Sequence, residues 1–364
     1  MLGRLTPSIM VKFTPKRGIC FSLFLFLTFC NGCDQVESKF FLHEVGLTHE
    51  YRFPLYDAPF PIEMHIHNDY LILCQSNFQG SPPDVFFQAY SLSDHSYRGS
   101  FGHKGRGPGE WINPRIISSS ANSPYLYLFE VSSRQNSAII HKMILDTTIQ
   151  LQEVGSFSIE KGYSAMNHPV IRNDSLLVFD EFMPEPSIRV HHLKEEHPIV
   201  SWKYGASSSL DNRFADKNLG TLYANDSSIL FLYTLKNRID FMNWNLEPIK
   251  RLNYQKDKPI IRNDPRDNVM YYGRSYLGQY FLYARFSGVS TREYEANDYK
   301  GQVLEVFDLK GTPVCCYTFS EAFPQAFAVD ERTFTLYGYW SDSGLEDSIS
   351  VYRLPGLKEY LQEK

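Results

Sequence analysis

Two histidines and a pair of aspartates are the residues of this sequence best suited to hold a metal ion. His65 and His67 stand two residues apart in a predicted strand, so both side chains would point to the same side. Asp211 and Asp216, in the stretch "LDNRFADKN", offer the oxygen ligands that Ca²⁺ prefers. The sequence identifies no third ligand for the histidines, and the aspartates lack the spacing of a calcium-binding loop. We therefore predict no cofactor, with Ca²⁺ as the alternative.

The stretch "HKGRGPGEW", His103 to Trp111, has the glycine content of a phosphate-binding loop but not its pattern. A P-loop needs Lys-Ser/Thr after its last glycine and then a helix. Pro108 also lacks the backbone N–H that a phosphate would use. We predict a structural corner instead, in which Glu110 accepts hydrogen bonds from N–H groups of the loop. Lys104 and Arg106 are candidates for contact with an anionic ligand.

A second candidate surface is the long polar stretch "STREYEANDYKG", Ser290 to Gly301. Arg292, Tyr294 and Tyr299 would suit contact with a sugar or a peptide, although a solvated hairpin is the simpler interpretation. The sequence contains no G-x-S-x-G nucleophile elbow. We therefore predict no catalytic residue.

Net charge and cysteine content exclude two classes of protein. The formal net charge is −5, without long blocks of like charge, whereas a nucleic-acid-binding protein calls for a basic stripe. The cysteines that follow the N-terminal Cys30 and Cys33 form neither a disulfide framework nor a C-x-x-C pair suited to zinc. The fold must therefore be stabilised by its hydrophobic core.

The N-terminus has the pattern of a bacterial lipoprotein signal peptide. A basic patch precedes an apolar run of 11 residues, Ile19–Phe29, which is shorter than the roughly 20 residues of a membrane-spanning helix. Cys33 follows the small residue Gly32 and is the predicted lipid attachment site, with Cys30 as the alternative. Translation could start at Met1 or at Met10. Lipid chains would anchor the mature protein to a membrane without crossing it.

The mature sequence repeats one pattern six times: a turn of Asn, Asp, Gly or Ser, followed by a strand of large apolar residues. Successive anchors of this pattern lie 51 to 55 residues apart. They are Tyr70, Tyr125, Leu176, Ile229, Tyr280 and Phe334. A period near 50 with several strands in each unit is typical of a β-propeller blade. The sequence therefore predicts an all-β, six-bladed propeller of four-stranded antiparallel blades.

The predicted domain organisation follows from this repeat. Residues 1–32 would be the removed signal peptide, 33–39 a lipidated linker, 40–355 the propeller and 356–364 a C-terminal tail. The segment "KFFLHEVGLTHEYRF" would add a strand to the blade that the C-terminal strands complete, because an open ring would leave sheet edges exposed. The loop at residues 103–111 would cross from the outer strand of one blade to the inner strand of the next.

Three stretches resemble the TolB-like six-bladed propeller lipoproteins of Bacteroides and its relatives. "SFGHKGRGPGEW" is similar to their Gly-Pro-Gly-Glu turn, "YFLYARFSG" to one of their strands, with Phe286 in place of a tyrosine, and "LEVFDLKGTPV" to a strand-turn-strand near their end. The resemblance covers nearly the whole mature chain. It implies the fold and a cell-envelope location, and it transfers no catalytic residue.

These observations favour a non-enzymatic module of the cell envelope that is anchored to a membrane by its N-terminal lipid. Its expected ligand is an envelope protein or a glycan, and not a nucleic acid. The expected location is the outer membrane, on its periplasmic or its surface face. Two alternatives remain. One is a Ca²⁺-dependent hydrolase or lactonase-like enzyme with its site in the central channel, by analogy of fold alone. The other is a structural part of an outer-membrane assembly.

Overall fold

The structure, a computed structural model, describes most of the chain after residue 38. The described residues are 39–57, 60–75, 84–107, 109–118, 123–132, 137–159, 166–181, 186–195, 197–204, 218–254, 260–298, 300–340 and 348–364. The predicted signal peptide and both candidate lipid attachment sites, Cys33 and Cys30, lie outside these residues.

Six β-sheets follow one another along the chain, and each is one blade. Blade 1 contains β3 (Pro61–His67), β4 (Tyr70–Gln75), β5 (Val85–Ser91), β6 (Tyr97–Lys104) and β7 (Glu110–Trp111). Blade 2 contains β8 (Arg115–Ile117), β9 (Leu126–Ser132), β10 (Ser137–Leu145) and β11 (Leu151–Ile159). Blade 3 contains β12 (Met166–Arg172), β13 (Leu176–Glu181), β14 (Ser187–His192) and β15 (Pro198–Lys203).

The other three blades complete the ring. Blade 4 contains β16 (Gly220–Ala224), β17 (Ile229–Tyr233), β18 (Arg238–Met242) and β19 (Pro248–Asn253). Blade 5 contains β20 (Val269–Tyr272), β21 (Tyr276–Leu277), β22 (Phe281–Ser290), β23 (Val303–Asp308) and β24 (Pro313–Phe319), with the N-terminal β1 (His43–Leu47). Blade 6 contains β25 (Ala326–Asp330), β26 (Thr335–Tyr339) and β27 (Ser348–Arg353), with the N-terminal β2 (Tyr51–Pro54).

The predicted fold class is confirmed, and the sequence anchors fall at equivalent places in all six sheets. Each anchor begins, or directly precedes, the second strand of its blade. The first strands lie next to one another around the axis in the order of the chain. β8 contacts β12, β12 contacts β16, and β25 contacts β3. Since both faces of each blade are covered by its neighbours, the middle strands are mostly buried on both sides, whereas outermost strands such as β15 and β19 are largely exposed.

The ring closes through the N-terminal segment, as predicted. β2 pairs antiparallel with β27, and it is the outer strand of the blade that the C-terminal strands complete. The four-stranded plan is extended in two blades. β1 pairs in parallel with β24 of blade 5, and β7 pairs in parallel with β6 of blade 1. Each covers the outer edge of a blade that would otherwise leave backbone groups unpaired.

Within the described residues, a 3-10 helix (Pro265–Asp267) and two short α-helices accompany the strands. Helix α1 (Thr291–Ala296) lies in the connection where a solvated hairpin was the simpler expectation. It forms because Ser290 and Glu293 make a capping box, in which each side chain accepts a hydrogen bond from the backbone of the other. Helix α2 (Leu357–Gln362) occupies the predicted C-terminal tail, and the buried Leu357 and Tyr360 hold it against the core.

Candidate functional site

Polar side chains from four blades meet where the first strands surround the central axis. Glu63 and His65 lie on β3, Arg115 begins β8, His168 lies on β12, and Arg274 lies between β20 and β21. We call these five residues the channel cluster. The first strand of a blade is the one that lines the channel of a propeller, so these side chains have a common solvent-filled space available to them.

Glu63 lies at the centre of the channel cluster. Its carboxylate oxygens lie 3.7 Å from His65 Nε2 and 3.7 Å from Arg274 Nη2. Burial acts to raise the pKa of Glu63, but His65, Arg274 and Arg115 outweigh it and lower the pKa to about 2. Glu63 is therefore a carboxylate at every pH at which the protein would work.

The two arginines of the channel cluster retain unused hydrogen-bond donors. Arg274 approaches Glu63 at a distance too long for a hydrogen bond, and 47% of its side chain is exposed. Arg115 is exposed as well, and it forms no ion pair with any residue in the described part of the chain. A guanidinium group carries five N–H donors in a planar fork. The site therefore offers two forks that could bind an oxyanion.

His168 occupies a strained position beside this cluster. Its φ of 45° lies in the left-handed region, within a β-bulge of β12 between Asn167 and Val170. A residue that precedes a proline, as His168 precedes Pro169, strongly favours extended backbone instead. Such strain persists only where the surrounding structure imposes it, and it concentrates at functional sites.

A buried carboxylate fixes the charge of His168. His168 Nδ1 lies 2.8 Å from Oδ1 of Asp180, which is fully buried on β13. Burial acts to lower the pKa of His168, but the negative charges of Asp180 and Glu63 outweigh it and raise that pKa above its ordinary value. Arg274 opposes this rise. The imidazolium form is thus stabilised by the fold.

We expect the His168–Asp180 pair to make stability depend on pH in a defined direction. Because the folded-state pKa of His168 is raised, its stabilising contribution is fully present below pH 6.5 and is lost as the pH rises through the folded-state pKa. The difference in free energy of unfolding between the wild type and His168→Gln should therefore be largest at pH 5.5, with the wild type the more stable. The difference should shrink by pH 8.5, as measured by urea denaturation at both values. A difference that grows with pH would contradict this assignment.

The two histidines predicted as a metal pair differ in environment. Burial and the nearby His65 lower the pKa of His67 to about 4, so His67 is neutral at pH 7. His65 instead approaches Glu63. Within the described ranges, no three His, Cys, Asp or Glu side chains are grouped so as to hold a metal ion. Asp211 and Asp216 lie outside the described residues.

The loop after β6 has the predicted structural role. Gly107 N donates a hydrogen bond of 2.8 Å to Glu110 Oε2, and the loop leads from the outer strand of blade 1 to β8 of blade 2. A Cβ atom on Gly105 would lie 1.8 Å from the same oxygen, so a side chain at this position would displace the Glu110 carboxylate. Lys104 and Arg106 are exposed here and form no ion pair with a described residue.

The candidates of the long connection in blade 5 are engaged in other contacts. Arg292 lies on α1, where Nη2 lies 2.9 Å from Asp264 Oδ2 and Nε lies 2.6 Å from Asp267 Oδ1. Tyr294 also lies on α1. Tyr299 lies outside the described residues. The structure therefore does not bring Arg292 to the channel cluster. Arg292 and Tyr294 both remain candidates for ligand contact.

Sequence reasoning singled out His65 but missed the other members of the channel cluster. A signal for them was present, because each lies in or directly beside the strand that precedes a repeat anchor. Arg115 lies ten residues before Tyr125, and His168 lies eight before Leu176. Polar residues at the start of several first strands would therefore have pointed to the channel.

The fold and this ring of first strands define the class of the protein, a six-bladed β-propeller. Residues 47–179 match the family model described as TolB-like 6-blade propeller-like, which confirms the resemblance seen in the sequence. No curated protein matches the chain. No helix in the described part of the chain has the length and apolar character needed to cross a membrane.

Solved structures are similar to this one at low sequence identity. A member of the duf4221 family from Bacteroides vulgatus has a TM-score of 0.54 at 12% identity, covering 84% of this chain and 96% of that one. A putative exported protein from Bacteroides fragilis has a TM-score of 0.49 at 11% identity, covering 85% and 98%. BamB from Moraxella catarrhalis has a TM-score of 0.41 at 9% identity, covering 85% and 100%. These similarities concern the fold alone.

Proposed function

We propose that this protein is a lipid-anchored binding module of the bacterial cell envelope and that the channel cluster is its binding site. The observation that supports this most is the pair of arginines from two blades, Arg115 and Arg274, whose donors are not used by any described residue. Buried structural arginines normally have their donors satisfied. Exposed donors that converge at a channel are instead suited to a ligand.

The charges of the site favour binding over cation-dependent hydrolysis. A channel that holds Ca²⁺ needs several oxygen ligands. Here Glu63 lies near Arg115 and Arg274, whose positive charges oppose a bound cation. A metal assay on protein purified without chelator gives the direct comparison, and a stoichiometric divalent ion would favour the enzyme.

The lipid anchor is supported by the N-terminal pattern, and the position of Lys39 bears on what such an anchor would hold. Lys39 lies six residues after Cys33, and its Nζ lies 2.8 Å from Oε1 of Glu305 in blade 5. Six residues span at most about 20 Å when fully extended. A lipid on Cys33 would therefore hold blade 5 close to the membrane surface.

We expect Cys33→Ser to abolish lipid attachment, because the acylated thiol would be missing. Cells labelled with a radioactive or alkyne-bearing fatty acid should yield labelled wild-type protein and unlabelled Cys33→Ser protein. Cys30→Ser is the matched control and should keep the label. Loss of label in Cys30→Ser alone would show that the lipid is attached to Cys30. An unlabelled wild type would indicate a plain secretory signal peptide.

A further inference from the structure

We propose that the channel cluster binds its ligand through an oxyanion group, a carboxylate or a phosphate, held between Arg115 and Arg274. This proposal rests on the channel cluster being the binding site, and it specifies the chemical class of the ligand. Three features of the site support it: the charge balance, the unused donors and the position of Glu63.

The charge balance at the solvent-accessible part of the site is positive. Arg115 and Arg274 carry one positive charge each, and Glu63 is the carboxylate that faces them. Asp180 is fully buried and lies behind His168, so its charge is directed to the imidazole. With His168 protonated, the cationic groups therefore outnumber the accessible carboxylate, which favours an anion in the channel.

The free donors are of the kind that binds an oxyanion. A guanidinium fork binds carboxylate or phosphate through two parallel N–H···O bonds, which a neutral hydroxyl cannot reproduce. Arg274 touches Glu63 only at 3.7 Å, so its fork is not saturated. His65 Nε2 is also buried without a hydrogen-bond partner among the described residues, 3.7 Å from the same carboxylate. A ligand oxygen that entered here would satisfy donors from three blades.

Glu63 has the role of a resident counter-ion in this arrangement. Its carboxylate oxygens lie 3.7 Å from Arg274 Nη2 and 3.7 Å from His65 Nε2, and Arg115 also contributes to its lowered pKa. Because it is an anion, it competes with the ligand for the same donors. Removal of its charge should therefore strengthen oxyanion binding, whereas it would weaken binding of a cation.

The test is isothermal titration of the purified full-length protein in detergent with two anionic probes and one neutral comparison. Glucuronate represents a carboxylate-bearing sugar, inorganic phosphate represents a free phosphate, and methyl glucoside is the neutral comparison. We expect the wild type to bind at least one anion and not methyl glucoside. The stronger of the two anions then indicates which source of the oxyanion the site prefers.

Variants locate the bound anion. Arg115→Gln and Arg274→Gln should each weaken binding at least tenfold, while Arg98→Gln, a change at an exposed arginine on the outer strand β6, should leave it unchanged. Glu63→Gln should bind the anion at least as tightly as the wild type. Unchanged unfolding transitions in urea show that each variant is folded; if one arginine variant fails this control, the other carries the test.

Three results would overturn the proposal. They are the absence of binding of both anions at millimolar concentration, equal binding by both arginine variants and the wild type, and weaker binding by Glu63→Gln. Binding of methyl glucoside or of Ca²⁺ without anion binding would refute the oxyanion specificity and leave a binding function intact. Turnover of a probe would instead contradict the non-catalytic function.

Discussion

Truncation of Phe53 to alanine is expected to lower the free energy of unfolding by about 3–5 kcal/mol, the usual cost of emptying a buried phenylalanine site. Phe53 lies on β2, the N-terminal strand that closes the ring. Its ring stacks on His95 of blade 1, with centroids 4.9 Å apart, and packs near Tyr337 of blade 6. The truncation therefore weakens the packing on both sides of the closure.

Urea denaturation of the purified protein measures this effect. Phe40→Ala is the matched control, because 77% of Phe40 is exposed, and it should change the free energy of unfolding by less than about 0.5 kcal/mol. A loss below 1 kcal/mol in Phe53→Ala would show that closure does not depend on this ring.

Replacement of Lys39 by methionine should have a comparable effect, about 3–5 kcal/mol, because it leaves a buried carboxylate without its counter-ion. Lys39 Nζ lies 2.8 Å from both carboxylate oxygens of Glu305, whose side chain is only 4% exposed. The ammonium group also lies 3.8 Å from the centre of the Phe286 ring. Tyr272 Oη donates a longer hydrogen bond of 3.3 Å to Glu305 and cannot replace the lost charge.

The loss in Lys39→Met should grow with pH. Burial raises the pKa of Glu305, and Lys39 opposes that rise. Without Lys39 the folded-state pKa rises further, so the carboxyl group is stable in its protonated form at low pH and costs stability as the pH rises through that pKa. The double variant Lys39→Met, Glu305→Gln removes both charges and should recover most of the loss at pH 8. Equal losses in the single and double variants would contradict a charge effect.

The blade count could be predicted from the sequence because its signal is local. A turn followed by a run such as "YLILC" at Tyr70 or "ILFLY" at Ile229 specifies a buried strand through neighbouring residues only. The corner at Gly105 and Glu110 was predictable for the same reason, since the two residues that interact are five apart. The fold class needed no knowledge of contacts between distant blades.

The site could not be predicted in the same way because its contacts are distant in sequence. Lys39 and Glu305 are 266 residues apart, and the blades that supply Glu63 and Arg274 meet only when the ring is closed. Helix α1 is a different case. Its capping box, Ser290 and Glu293, is a local signal that was present in the sequence, but the polar composition around it favoured a hairpin.

The N-terminal segment runs along two adjacent blades, with β1 beside β24 and β2 beside β27. A mechanical pull applied through residue 38 would meet the Lys39 contact first and the β1 ladder next. Tension directed along β1 would load its inter-strand hydrogen bonds in shear, so that they resist together and not one after another. Under such a pull, the contacts of Lys39 and β1 would bear the load first. The ring closure at β2 would be loaded only after they had separated.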